Sequence, residues 1–261
     1  MRERSKHIVI TGASSGIGKE LARRAAEQGH YPILMARSLP ALQELRSELQ
    51  AQGQKCAIYP VDVTDPEECE NAVNDIEQRF DQMDVLINNA GVGVFAPVDK
   101  LSAEEAEQML KVNVLGLFYM VRAVLPGMKM RREGLIINIG SQAGRMATPK
   151  ASIYGASKHA VIGFSNALRL EAADYSIRVT TVNTGPVRTP FIRKADPEGG
   201  YEKTVEKFFL DPSALSYKII KLIDHPRREL NLPWWMAAVS WIYSLAPGVV
   251  ERAAGKQFYK K

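Results

Sequence analysis

Short apolar runs alternate with amphipathic stretches from one end of the chain to the other. HIVIT (7–11), YPILMA (31–36), CAIYPV (56–61), DVLINNA (84–90), LIINIGS (135–141) and IRVTTVN (177–183) are continuous runs rich in Val and Ile. Strands of a parallel sheet are buried on both faces and carry this pattern. RELNLP (228–233) adds an edge strand. Between the runs lie helical patterns. In GIGKELARRAAEQGH, Ile17, Leu21, Ala25 and Gln28 share one face, Lys19, Arg23 and Glu27 take the other, and Gly29 stops the helix. Asp65 is placed as an N-cap with Pro66 at the first helical position, and Ser102 with Glu105 forms a capping box. Asp211 caps a later helix. Repeated βαβ units predict an α/β fold, a doubly wound parallel sheet flanked by helices.

No linker or repeat interrupts the pattern before residue 190, so residues 1–261 read as one domain. From 193 to 212 the sequence turns charged and Gly/Pro-bearing, which predicts an excursion above the sheet, a lid within a substrate loop spanning 193–235. Residues 233–261 form an apolar C-terminal extension.

Composition narrows the class. The chain has 261 residues, 46% hydrophobic, enough for a large core. The net charge of +5 is interleaved along the chain, which argues against a nucleic-acid footprint; RREG at 131–134 reads as a solvated helix end. Two cysteines, Cys56 and Cys69, make no secreted disulfide scaffold, and the N-terminal apolar run is too short for a signal-peptide core; a cytoplasmic location is expected. The four histidines are scattered, so no metal is expected.

ITGASSGIGKEL follows the first strand and opens the first helix. Gly12, Gly16 and Gly18 let the backbone turn tightly, and a helix N-terminus offers free N–H groups to a pyrophosphate. Further on come VDV (61–63), NNAG (88–91), Asn113, Ser141, YGASK (154–158) and NTGPVRT (183–189). In this order the motifs resemble the short-chain dehydrogenase/reductase family, with its T-G-x-x-x-G-x-G fingerprint, over roughly the first 190 residues. The resemblance implies a Rossmann-type sheet of seven parallel strands in the order 3-2-1-4-5-6-7. It implies a nicotinamide coenzyme held by Gly12, Ser14, Ser15, Gly16, Ile17, Gly18, Arg37, Asp62, Val63, Asn89, Ala90, Gly91, Tyr154, Lys158, Gly185, Val187 and Thr189. Asp62 and Val63 would touch the adenine, and Asn89 to Gly91 the adenosine ribose. One departure stands out: Thr184 replaces the proline of the family's Asn-Pro-Gly, with a small change in loop stiffness expected.

The second strand selects the coenzyme. NAD-preferring folds end it with an acid that accepts from the ribose 2′-hydroxyl. Ala36 stands there instead, followed by Arg37, whose guanidinium can clamp a 2′-phosphate. NADP(H) is therefore expected.

Tyr154 and Lys158 lie one helical turn apart and share a face. A phenol has a pKa of about 10, and only about one in a thousand is ionised at pH 7. A cation within about 4–6 Å lowers such a value by about 1–3, so Lys158 is expected to make Tyr154 a usable acid and base. Gly155, Ala156 and Ser157 are expected to leave room for the reactants. Ser141, at a strand's carboxyl end, can hydrogen-bond a carbonyl oxygen as negative charge develops. From the resemblance, Asn113 would hold a water linking Lys158 to solvent, and Lys158 would grip the nicotinamide ribose.

The expected activity is an NADP(H)-dependent oxidoreductase acting on a carbonyl or secondary alcohol, as a reductase of a hydrophobic or acyl-type ketone. The rival is an NADPH-sensing module whose site goes unused; an intact Asn, Ser, Tyr, Lys set argues against it. The resemblance implies a homodimer or homotetramer through helices at 102–129 and 152–173. WWMAAVSWIYSLA carries three tryptophans, with no charge from Leu230 to Val250. A helix of about 13 residues between Pro233 and Pro247 covers about 20 Å, short of the roughly 30 Å hydrocarbon core. Two readings stay open for it: packing in an interface or pocket wall, and a shallow dip into a membrane surface.

Overall fold

A computed structural model describes residues 4–197 and 199–258. The apolar runs become seven strands: β1 His7–Thr11, β2 Tyr31–Ala36, β3 Ala57–Pro60, β4 Val85–Asn88, β5 Gly134–Ile139, β6 Ile177–Thr184 and β7 Glu229–Leu232. All pair in parallel, in the order β3-β2-β1-β4-β5-β6-β7. The order reverses at β1, where Ile10 lies beside Leu34 of β2 and Ile87 of β4. A crevice opens at such a switch point, outside the strands' carboxyl ends.

The helices are α1 Gly16–Glu27, α2 Leu39–Ala51, α3 Pro66–Phe80, α4 Ala103–Leu110, α5 Leu117–Arg131, α6 Ser152–Ala173, α7 Pro190–Ala195, α8 Gly200–Val205, α9 Pro212–Ile220, α10 Trp234–Leu245 and α11 Pro247–Phe258. Alternate strand residues feed opposite layers. Ile8 and Ile10 pack with Leu21, Leu45, Leu49 and Ile219 on the α1/α2/α9 side. Val9 and Ile33 pack with Ile76, Met120, Val124 and Leu168 on the α3/α5/α6 side. Each such side chain contributes about 1.5–3 kcal/mol by leaving water.

The predicted caps are formed: Asp65 Oδ1 accepts from the Glu67 and Glu68 N–H groups, and Ser102 and Glu105 bond reciprocally. Three local readings change. The buried face of α1 is Gly18, Leu21, Ala22, Ala25 and Ala26, while Gln28 is an exposed C-cap; small alanines let the helix lie close on the sheet. The helix at 102–129 is split by a π turn, Lys111–Gly116, which carries Asn113. The excursion is shorter than 193–235, because α9 buries Leu215, Ile219 and Ile220 against α1 and β7 rejoins the sheet. Pro247 ends one helix and opens another, since a helix's first residue needs no N–H. Residues 1–3 and 259–261, at the ends of the single-domain reading, and Glu198 in the lid lie outside the described residues.

Candidate active site

One cleft of about 1200 Å³ runs along the carboxyl ends of the strands. At one end lies the glycine loop. Gly12 takes φ +65°, and a Cβ there would press on Ala90 Cα. Gly16 takes φ +54°. Ser15 precedes α1 without a side-chain cap, and the first turn holds no acid, so the helix's leading N–H groups open onto the cleft. Asn89 braces this loop from β4: its Nδ2 donates to the Thr11 and Gly12 carbonyls, and Thr11 Oγ1 accepts from the Asn89 and Ala90 N–H groups.

Ser14, Ser15, Gly16, Ile17, Arg37, Asp62, Val63, Asn89, Ala90, Gly91, Gly185, Val187 and Thr189 line the cleft together with Gly12, Ser141, Tyr154 and Lys158. Gly18 does not: a Cβ there would overlap the Gly12 carbonyl and the Asn89 amide, so it serves the closure of helix on loop. Asn113 also stands outside the lining. Its Oδ1 accepts from Val92 N at 2.8 Å, and its Nδ2 donates to Val92 O and Ser157 Oγ, each at 2.9 Å. It is a clasp between the loop after β4 and α6. The π turn places it there, as such turns often do near functional sites.

Arg37 is largely exposed at the end of β2, with Asp62 Oδ2 4.0 Å away as its ion-pair partner. Thr184 extends β6 and lies in register with Leu232 of β7, and its carbonyl accepts from Ser141 Oγ at 3.4 Å.

Ser141 and Tyr154 line the same stretch of the cleft, close enough for the serine to lower the phenol's pKa. The predicted electrostatics differ. Burial pushes the Tyr154 phenol above its usual range, the Ser141 hydroxyl draws it partly back, and the nearby Tyr201 raises it. Lys158 Nζ donates to the Ile139 carbonyl at 2.9 Å and sits 5.9 Å from the centre of the Tyr154 ring. Burial lowers the lysine to about 8. Burial therefore outweighs what the ammonium, turned to the Ile139 carbonyl, gives the phenolate. Both groups are shifted toward their neutral forms by the same low-dielectric pocket.

The small residues of YGASK also play another part. Ser157 is buried and donates to the Tyr154 carbonyl, a Cβ on Gly155 would press on the Ala143 carbonyl, and Ala156 is exposed. They fit α6 to its neighbours and do not line the cleft.

The reactant end was not legible beforehand. Phe95, Phe191 and Tyr201 enclose the Tyr154 ring, with centroids 5.5 Å (Phe95) and 5.7 Å (Phe191) from it and Phe95 4.2 Å from Tyr201. Met146, Phe208 and Met236 extend the apolar wall, and Lys150, Lys194 and Lys203 also line it. The predicted excursion supplies much of this. Asp196 Oδ2 caps α8 by accepting from Tyr201 N and Glu202 N, and the Ala195 carbonyl accepts from Phe95 N. The signal available in the sequence was position alone: these residues follow the carboxyl ends of β4 and β6. Among the described residues, no group of three or more His, Cys, Asp or Glu side chains could hold a metal.

The family model for short chain dehydrogenase matches residues 6–199. The chain belongs to the short chain dehydrogenase family. It is 38% identical over 203 residues to the NADP-dependent 3-hydroxy acid dehydrogenase YdfG of Escherichia coli K12, covering 76% of the chain and 81% of that protein. Among solved structures it is similar to serine dehydrogenase complexed with NADP+, with TM-score 0.79, 33% identity and coverage of 87% and 94%. It is also similar to an actinorhodin polyketide ketoreductase variant with NADPH, with TM-score 0.80, 30% identity and coverage of 89% and 97%.

Proposed function

We propose that this short-chain dehydrogenase uses NADP(H) to interconvert a carbonyl compound and a secondary alcohol, working as a reductase of a hydrophobic or acyl-type ketone. The observation that carries this is the meeting of Ser141, Tyr154 and Lys158 in the cleft that the glycine loop opens. The residues fit the coenzyme. The uncapped start of α1 and the Gly12–Gly16 turn suit a pyrophosphate, and exposed Arg37 beside Ala36 suits a 2′-phosphate. The NADP-dependence of YdfG and the NADP(H)-bound relatives support the same choice. Bound NADPH supplies the hydride.

The chain's own residues handle the oxygen. Ser141 Oγ donates to the carbonyl oxygen and steadies the charge that grows there. Tyr154, kept protonated by burial, gives its phenolic proton to that oxygen. The Lys158 ammonium then lies close enough to stabilise the phenolate left behind. Phe95, Phe191 and Tyr201 exclude water from the transfer. The sensor reading loses its basis, because a binding module needs no buried proton donor. The test is NADPH absorbance loss with a panel of ketones, 3-oxo acids and aldehydes; failure on every member would refute the reading.

Two further expectations belong here. Cys56 and Cys69 are free thiols in opposite core layers, and burial raises both; this supports a reducing cytoplasm. An apolar groove between α5 and α6, lined by Phe118, Leu125, Phe164 and Leu168, supports pairing of two copies there. Phe118→Glu should then yield monomers in sedimentation velocity.

A further inference from the structure

Helix α10 is built inside out. Its outward stripe is Trp234, Ala238, Trp241 and Leu245, at the i, i+4, i+7, i+11 spacing of one helix face. Trp234 is 77% exposed, Trp241 70% and Leu245 74%, with Ile242 beside them; Val249 of α11 continues the surface. The inward stripe holds Met236 and the buried Ser240, whose hydroxyl donates to the Ala237 carbonyl. A helix shaped for water on its outer side would reverse this arrangement. The other long apolar run, Ala103–Arg131, differs: Met109, Met120, Val121, Val124 and Met128 face the core.

The apolar surface is continuous with the cleft mouth. Met236 lines the cleft, Trp235 packs at a tilt against the cleft-lining Phe208 with centroids 5.5 Å apart, and Tyr243 reaches the backbone of Ala147. Lys150, Lys194 and Lys203 line that cleft, none with an ion-pair partner among the described residues, and exposed Lys207 directly precedes the cleft-lining Phe208. Arg252 lies one turn beyond the apolar stretch. The nearby acids are Glu202, Glu206 and Glu251, and Glu251 is engaged by the Tyr243 hydroxyl at 2.9 Å.

We propose that α10 and α11 seat the protein on the surface of a bilayer containing anionic lipids, with the cleft mouth at headgroup level. Tryptophans on an uncharged helix rimmed by lysines match the interface of apolar chains and anionic headgroups. At 12 residues, α10 extends about 18 Å and lies on the surface without spanning it. A second copy on this face would set like-charged lysine rims near each other, whereas a bilayer with anionic headgroups pairs with them. This inference is independent of the proposed reaction.

All three tryptophans of the chain lie on α10, so intrinsic fluorescence reports this helix alone. The full chain is mixed with vesicles of phosphatidylcholine, or of phosphatidylcholine with phosphatidylglycerol, then sedimented. Binding about tenfold stronger to the anionic vesicles is expected, with a blue-shifted emission quenched by lipid carrying a doxyl group in the upper chain. Trp234→Ser/Trp241→Ser/Leu245→Ser should weaken binding at least about 100-fold with unchanged far-UV circular dichroism. Lys207→Glu/Arg252→Glu should remove the anionic preference. Wild-type protein left in the supernatant with both vesicles, or emission unmoved by doxyl lipid, would overturn the proposal whether or not the triple variant folds. So would a wild-type dimer that the triple substitution dissociates without any vesicle binding, because a second copy would then own the face.

Discussion

The glycine loop and helix α10 use apolar residues in opposite ways. Around the loop, Ile8, Ile10, Leu21 and Ala25 are fully withdrawn from water, and what faces the cleft is backbone N–H and small hydroxyls. On α10 the tryptophans face out and a serine is withdrawn. One region is shaped around a ligand of fixed geometry, and its chemistry is carried by the main chain. The other is shaped around something large and apolar, and its chemistry is carried by side chains. Both border the cleft that Tyr154 lines.

The largest effect should come at that meeting point. Tyr154→Phe removes the proton donor and keeps the ring among Phe95, Phe191 and Tyr201. Turnover of any accepted ketone should fall about a thousandfold, while NADPH binding by fluorescence stays within a factor of two or so. Equal losses in both would mean that the two regions are not separable at this residue. Next is the loop's own specificity. Arg37→Asp should move the ratio of kcat/KM for NADPH over NADH by about a hundredfold, by removing a charge-assisted pair and adding repulsion. An unmoved ratio would show that the exposed arginine only solvates the end of β2.

The pH dependence separates burial from charge pairing. Lys158 is held at about 8 by burial, so it is cationic below that pH and neutral above it. Reduction leaves a phenolate that needs the cation. Thus kcat/KM for NADPH should be flat below about pH 8 and drop about tenfold per unit above it. The same shift has a stability consequence. The folded lysine releases its proton near 8 and the unfolded one near 10.5, so the penalty for burying the charge is present below 8 and relieved as pH rises between those values. A profile flat to pH 10 would restore the expectation that lysine and phenol act as a tight ion pair.

How much of this was legible follows the same division. The strands, the caps at Asp65 and Ser102, and the Gly12 turn could be read because each rests on a local rule of spacing or backbone chemistry, whereas the strand order came with the family resemblance. The π turn at Asn113 could not, since its capping and periodicity match an ordinary helix. Nor could the pKa directions. Spacing puts Lys158 beside Tyr154, but only the packed site shows the ammonium turned to the Ile139 carbonyl, 5.9 Å from the ring centre. Phe95 lies in the loop after β4, Phe191 on α7 and Tyr201 on α8, and no periodicity joins them.

The smallest expected effect bears hardest on the comparison. Leu21→Ala, in the fully buried face of α1, should cost about 2–5 kcal/mol, read as a lower denaturant midpoint. Trp241→Ser removes a far larger apolar side chain, yet that ring is 70% exposed. Its change in unfolding free energy should stay within about 0.5 kcal/mol, and solubility at high concentration should improve as the patch shrinks. If Trp241→Ser were instead as destabilising as Leu21→Ala, the ring would be held by a surface of the same chain or of a second copy. The outward stripe of α10 would then belong to a core, and the contrast between the two regions would be one of assembly.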